Sequence, residues 1–76
     1  MSKEDVAKIL NDKKNGTDSR ALLDFCKVPR AVQELERCKT KREIFSVLTE
    51  LASKNAIAFE NGRYHTTPLG LEALKS

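Results

Sequence analysis

The chain has 76 residues, of which 39% are hydrophobic and 33% are charged, and its net charge is +3. This length allows one domain with a thin core, because so short a chain buries only about 60% of the surface that its unfolded form exposes. The composition excludes a disordered chain. The longest apolar run, Ala56 to Phe59, is too short to span a membrane, and residues 1–5 are polar, unlike a signal peptide. We therefore expect a cytoplasmic protein without a membrane partner.

Residues 1–16 are predicted to form an N-terminal helix. Ser2 and Asp5 resemble a capping box at its start, and Asn15-Gly16 is a strong signal for its end. This helix either packs on its own domain, which is the simpler expectation, or contacts a second copy of the chain. The candidate dimer contacts are the apolar residues at helical spacing: Val6, Ile9 and Leu10.

Residues 17–55 are predicted to form a core of three further helices. The first begins near Thr17 or Asp18, either of which can cap it, and ends at Val28-Pro29, because a residue before proline avoids helical backbone angles. A short helix follows from Pro29 to Arg37, with proline in its first turn.

The last helix of this core has the strongest periodicity and is predicted from Thr40 to Lys54. Thr40 and Glu43 match a capping box of the T-x-x-E type, and Asn55 is the expected left-handed residue after the helix. The apolar positions have offsets of three, four and seven residues: Ile44, Val47, Leu48 and Leu51.

Residues 56–67 are predicted to form a β-hairpin. Asn61-Gly62 between two strand-like segments is the strongest short-range hairpin signal, and a two-residue turn places Phe59 opposite Tyr64 and Glu60 opposite Arg63. Residues 68–76 then form a final helix, for which Thr67 is the expected cap.

The order of these elements from Asp18 to Lys75 resembles the winged helix-turn-helix regulators of the MarR and ArsR type, especially their compact archaeal and viral members. The resemblance depends most on Asn61-Gly62-Arg63-Tyr64 and on the closing segment Thr67-Pro68-Leu69-Gly70. It implies an α+β, mainly helical fold in which a two-stranded hairpin forms the wing. It also implies a homodimeric transcriptional regulator that binds double-stranded DNA.

A cluster of cations precedes the proposed recognition helix. Four of the six residues from Arg37 to Arg42 are basic and none is acidic, which suits a phosphate backbone but also fits a solvated helix end. Arg42 is the candidate for a base contact, because arginine can bind guanine through two hydrogen bonds. The candidate DNA contacts are Arg37, Lys39, Thr40, Lys41, Arg42, Ser46, Thr49 and Arg63.

Three residues allow another interpretation. Phe45 is predicted to be exposed, where it either contacts a thymine methyl group or anchors a protein partner, so the alternative function is a protein-interaction module. Glu43 would repel phosphates unless it serves as the capping residue. Arg63 either reaches DNA or forms a surface ion pair with Glu60.

The remaining reactive side chains do not predict an enzyme, a metal site or a cofactor. Cys26 lies on an apolar stripe, whereas Cys38 stands between Arg37 and Lys39, whose charges would lower its pKa and allow a redox switch. The alternative for Cys38 is a half-buried small residue. His65 is expected at the surface or edge of the hairpin, with a pH-sensitive DNA contact as the alternative. No nucleophile–base pair or phosphate-binding loop can be recognised.

Overall fold

A computed structural model describes residues 3–75, and the predicted cap Ser2 lies outside this range. The fold is α+β and mainly helical, with one antiparallel hairpin after the first helices, as expected. The elements in chain order are α1 (Lys3–Leu10), α2 (Gly16–Phe25), a 3-10 helix (Val32–Arg37), α3 (Ile44–Ser53), β1 (Ile57–Glu60), β2 (Arg63–Thr66) and α4 (Pro68–Lys75).

A single hydrophobic core receives side chains from every helix and from β1. α1 packs mainly on α4 and also on α2, so Val6 and Leu10 are only 0% and 2% exposed. Ile9 is half-buried against the same core. The simpler expectation, that α1 packs on its own domain, is therefore confirmed, and the alternative of a dimer contact is wrong for Val6 and Leu10, because their side chains fill the core of their own chain.

The connection between α1 and α2 differs from the prediction. α1 ends at Leu10, and Asn15-Gly16 begins α2 instead of ending α1. Asn15 is the N-cap residue, so neither Thr17 nor Asp18 is the cap. A side chain at position 16 would overlap the carbonyl oxygen of Leu10, which explains why glycine is required where the two helices meet so closely.

The short helix after α2 begins three residues later than predicted and is a 3-10 helix. The cause is a backbone pairing between Arg30 and Tyr64, whose amides and carbonyls exchange hydrogen bonds of 2.8 and 2.7 Å. This bridge adds a short third segment beside β2. Because Arg30 is held in this pairing, a helix cannot begin at Pro29.

The predicted capping box of Thr40 and Glu43 is also wrong. α3 begins at Ile44, and Glu43 is itself the N-cap, accepting a hydrogen bond from the amide of Ser46 at 3.1 Å. Thr40 instead donates its hydroxyl hydrogen to the carbonyl oxygen of Arg42 at 2.7 Å. Residues 40–43 thus form a turn, which lies outside the helix.

The hairpin and its two flanking signals are confirmed. Phe59 pairs with Tyr64 and Glu60 with Arg63, across a turn in which Asn61 and Gly62 both have positive φ angles. Asn55 adopts the left-handed conformation after α3. The hydroxyl oxygen of Thr67 accepts a hydrogen bond from the amide of Gly70, as expected for the cap of α4. Among residues 3–75, no helix is both long and apolar enough to cross a membrane.

Candidate nucleic-acid interface

A buried carboxylate organises the turn before α3. The side chain of Asp18 is only 5% exposed, and its oxygens accept hydrogen bonds from the amide of Lys41 at 2.8 Å and from the amide and Nε of Arg42 at 3.1 Å. The hydrogen bond from Lys41 is the main cause that holds the pKa of Asp18 below its ordinary value, and the contacts with Arg42 add to it. Asp18 therefore stays charged at neutral pH and connects α2 to this turn.

Arg42 belongs to this network, in contrast to its predicted role as a base contact. Its guanidinium group donates to the carbonyl oxygen of Asn15 at 3.2 Å and lies 3.5 Å from a carboxylate oxygen of Glu50. With two acids and a carbonyl around it, the side chain is only 27% exposed. It would have to leave Asp18 to reach a base, so the structure favours a structural role for Arg42.

The other predicted cations near α3 extend into solvent. Arg37, Lys39 and Lys41 are exposed, and none of them forms an ion pair within the described part of the chain. Asp18 binds only the backbone of Lys41 and leaves its ammonium group free. These three side chains are thus available to an anionic partner.

The exposed residues of α3 up to Thr49 are uncharged, and Glu50, the charged residue of this helix, is 39% exposed and pairs with Arg42. Phe45 is 41% exposed, as predicted, and Ser46 and Thr49 are exposed beside it. The hydroxyl of Thr49 donates to the carbonyl oxygen of Phe45 at 2.8 Å, which leaves its oxygen as an acceptor. The helix itself contains no lysine or arginine, so positive charge lies before α3 and not along it.

Glu60 and Arg63 lie opposite each other in the hairpin, but no ion pair joins them. Glu60 instead accepts a hydrogen bond from Nε2 of half-buried His65 at 2.8 Å. Arg63 is exposed and has no ion pair with any residue from 3 to 75. Of the two interpretations of Arg63, the structure favours a free cation next to the turn.

The cysteines do not support a redox switch. Burial raises the pKa of the Cys26 thiol to about 11, and this residue lies in the core as expected. Burial, followed by the negative charge of Asp18, also raises the pKa of Cys38. The prediction that neighbouring cations lower the pKa of Cys38 is therefore wrong, and its thiolate form is disfavoured at neutral pH.

The structure thus brings Lys41 and Arg42 to Asp18, joins Thr40 to the carbonyl oxygen of Arg42, and places Arg63 separately on the hairpin. Sequence reasoning missed Asp18 as the organiser of this turn. A cleft of about 300 Å³ beside α1 borders this network at Asn15 and Glu50, both of which contact Arg42. Residues 3–75 contain no group of three side chains suited to a metal ion. Comparisons with protein families, with characterised proteins and with solved structures find no match for this chain.

Proposed function

We propose that this protein is a winged helix-turn-helix transcriptional regulator that binds double-stranded DNA, with α3 as its recognition helix. The order of the 3-10 helix, the turn, α3 and the hairpin supports this proposal. The observation that carries it is the position of the unpaired cations Arg37, Lys39 and Lys41 shortly before a helix whose exposed residues up to Thr49 are uncharged. Such a helix can approach base edges while the cations bind phosphates.

In this proposal the residues have separate tasks. The cations Arg37, Lys39 and Lys41 bind phosphates at one end of α3, and Arg63 binds a phosphate beside the wing or reaches the minor groove. The short side chains of Ser46 and Thr49 face the bases. The resemblance also implies a homodimer, but a second copy would need a surface other than Val6 and Leu10.

The first test replaces both Lys39 and Lys41 by alanine. We expect the double variant to bind duplex DNA roughly tenfold more weakly near physiological salt, with a log–log salt slope smaller by about 2, because each phosphate contact contributes about 0.9 to the slope. Fluorescence anisotropy of labelled duplex at several salt concentrations measures both quantities. Neither side chain has a folded-state ion pair among residues 3–75, so Tm should change little.

The matched control replaces Lys8 and Lys75, which are exposed on α1 and α4, by alanine. This variant has the same net charge as the test variant and should keep most of the affinity. An equal loss in both variants would show that only total charge matters. A wild-type protein that shows no saturable binding at roughly 50 mM salt, where phosphate contacts are strong, would contradict the proposed function.

A second candidate function, a protein-interaction module, is favoured by the exposure of Phe45 on a helix without cations. Aromatic side chains are common anchors in protein interfaces. If DNA is the partner, Phe45→Ala should weaken binding by less than roughly tenfold, since it removes at most an apolar contact with a thymine methyl group. The same anisotropy titration distinguishes the two functions, because a protein-interaction module would show no saturable DNA binding with either Phe45 or alanine.

A further inference from the structure

The hairpin exposes an aromatic ring that the proposed phosphate and base contacts do not use. Phe59 is 59% exposed although it lies in a strand, and its ring is tilted by 51° against that of Tyr64, with 4.7 Å between the ring centroids. Tyr64 is in turn held by the backbone bridge to Arg30. The exposed ring of Phe59 therefore packs against Tyr64, whose backbone is held in place by its pairing with Arg30.

The strand register separates the aromatic rings from the acidic residue of the hairpin. Directly paired residues share a face and successive residues alternate, so Phe59 and Tyr64 lie on one face, and Glu60 and Arg63 on the other. Glu60 is directed to this second face, where it contacts His65. The aromatic face of the hairpin thus presents no carboxylate to a polyanion.

The same face changes from buried to exposed along the hairpin. Ile57 and Thr66 lie on it at the base, and both are buried in the domain. Phe59 is one pair further along and is the first residue of that face on β1 to extend beyond the core. The guanidinium group of Arg30 forms an ion pair with Glu34 and lies over the ring of Phe25, so it is not a free cation. Arg30 holds Tyr64 through its backbone.

We propose that the hairpin binds in the minor groove and inserts Phe59 between adjacent base pairs, which kinks the duplex. This inference rests on the proposed DNA-binding function and adds the kind of DNA that the protein selects. Apolar wedges on minor-groove proteins unstack base steps in this way. Charge complementarity argues for DNA as the occupant, since the hairpin carries the unpaired cation Arg63 on its opposite face, where it can contact a phosphate, and the chain has a net charge of +3.

Insertion of Phe59 as a wedge between base pairs determines which DNA sequences the protein binds best. Pyrimidine–purine steps such as TA unstack more easily than the steps of an A-tract, so less binding energy is lost in deforming them. The wild-type protein is expected to bind a duplex with a central TA step roughly fivefold more tightly than one with a central A-tract. This preference needs no variant and is measured by competition between the two duplexes.

The decisive experiment measures DNA bending by energy transfer between dyes at the ends of a duplex of about 25 base pairs. The test variant is Phe59→Thr, because threonine favours a strand but provides no wedge. We expect it to lose most of the bend and the TA preference while its salt slope stays as in the wild type. Val28→Thr is the matched control, since Val28 is also 59% exposed but lies outside the hairpin, and it should bend DNA normally.

Two further variants separate a wedge from a role in stability alone. Phe59→Leu retains an apolar side chain and should keep part of the bend, whereas Arg63→Ala should reduce the salt slope by about 1 and leave the bend unchanged. If Phe59→Thr proves unfolded by circular dichroism, the wild-type step preference and Phe59→Leu still decide the question. Binding without bending, or equal bending by Phe59→Thr, would overturn the wedge and leave the DNA-binding function standing. An absence of any duplex binding by the wild type would overturn both.

Discussion

Replacement of Asp18 by alanine is expected to lower the Tm of the domain by on the order of 10 °C. The change removes the acceptor for the backbone amides of Lys41 and Arg42 and leaves the Arg42 guanidinium with Glu50 as its remaining anionic partner. Donors that lose their acceptor away from water cost more than the net value of a hydrogen bond. Thermal unfolding followed by circular dichroism measures the effect.

Arg42→Ala is the control for this result. It removes the ion pair with Asp18 and the hydrogen bond to Asn15, but both backbone amides keep their acceptor. We therefore expect a smaller fall in Tm than for Asp18→Ala. A Tm of Asp18→Ala within roughly 2 °C of the wild type would show that the turn before α3 does not depend on this carboxylate.

The same carboxylate makes the domain sensitive to acid. The pKa of Asp18 is lower in the folded protein than its ordinary value of 3.8, so the unfolded chain takes up the proton first as pH falls. The stabilisation by Asp18 is therefore complete above about pH 3.8 and is lost as pH falls through the lower, folded-state pKa. Asp18→Asn should lack this part of the acid transition, which denaturant unfolding at several pH values below 5 would reveal.

Gly70→Ala is expected to destabilise the domain, even though alanine is the better helix former by about 1 kcal/mol. A Cβ atom at position 70 would lie 2.5 Å from the carbonyl oxygen of Ala56 and 2.8 Å from Cγ2 of Thr66. The Ala56 oxygen already accepts a hydrogen bond from Thr67, so it cannot move without loosening the start of α4. Overpacking of this kind typically costs about 1–3 kcal/mol, which outweighs the helix propensity.

Chemical denaturation of Gly70→Ala and of Ala52→Gly separates these two effects. Position 52 is exposed on α3, so Ala52→Gly reports helix propensity with little change in packing. It should cost about 1 kcal/mol. If Gly70→Ala were instead as stable as the wild type or more so, the contact between α4 and Ala56 would not be tight in solution.

Several elements of the fold are determined by the local sequence. Asn61-Gly62 favours positive φ at both turn positions, and Asn55 tolerates the left-handed conformation after α3. Thr67-Pro68 provides a cap and a first helical residue within one turn. Each of these features depends on atoms no more than a few residues apart, so a sequence pattern is sufficient to predict it.

Two helix starts were mispredicted where a distant group binds the backbone of the same segment. Thr40 and Glu43 have the pattern of a capping box, but Asp18, 23 residues before Lys41, binds the amides of Lys41 and Arg42 and holds these two residues in a turn. Pro29 can begin a helix, but Tyr64 pairs with Arg30 and holds that segment in place. No local pattern shows which of two possible partners a backbone amide will have.

The candidate site shows the same division. Residue types and spacing alone located the cations before α3, the exposed Phe45 and the arginine of the hairpin. Only the tertiary structure decided that Arg42 pairs with Asp18 and Glu50, whereas the ammonium groups of Lys39 and Lys41 form no ion pair within residues 3–75. Spacing along the chain determines local turns and the buried face of a helix. Whether a charged side chain forms an ion pair depends on which distant charge the folded chain places beside it.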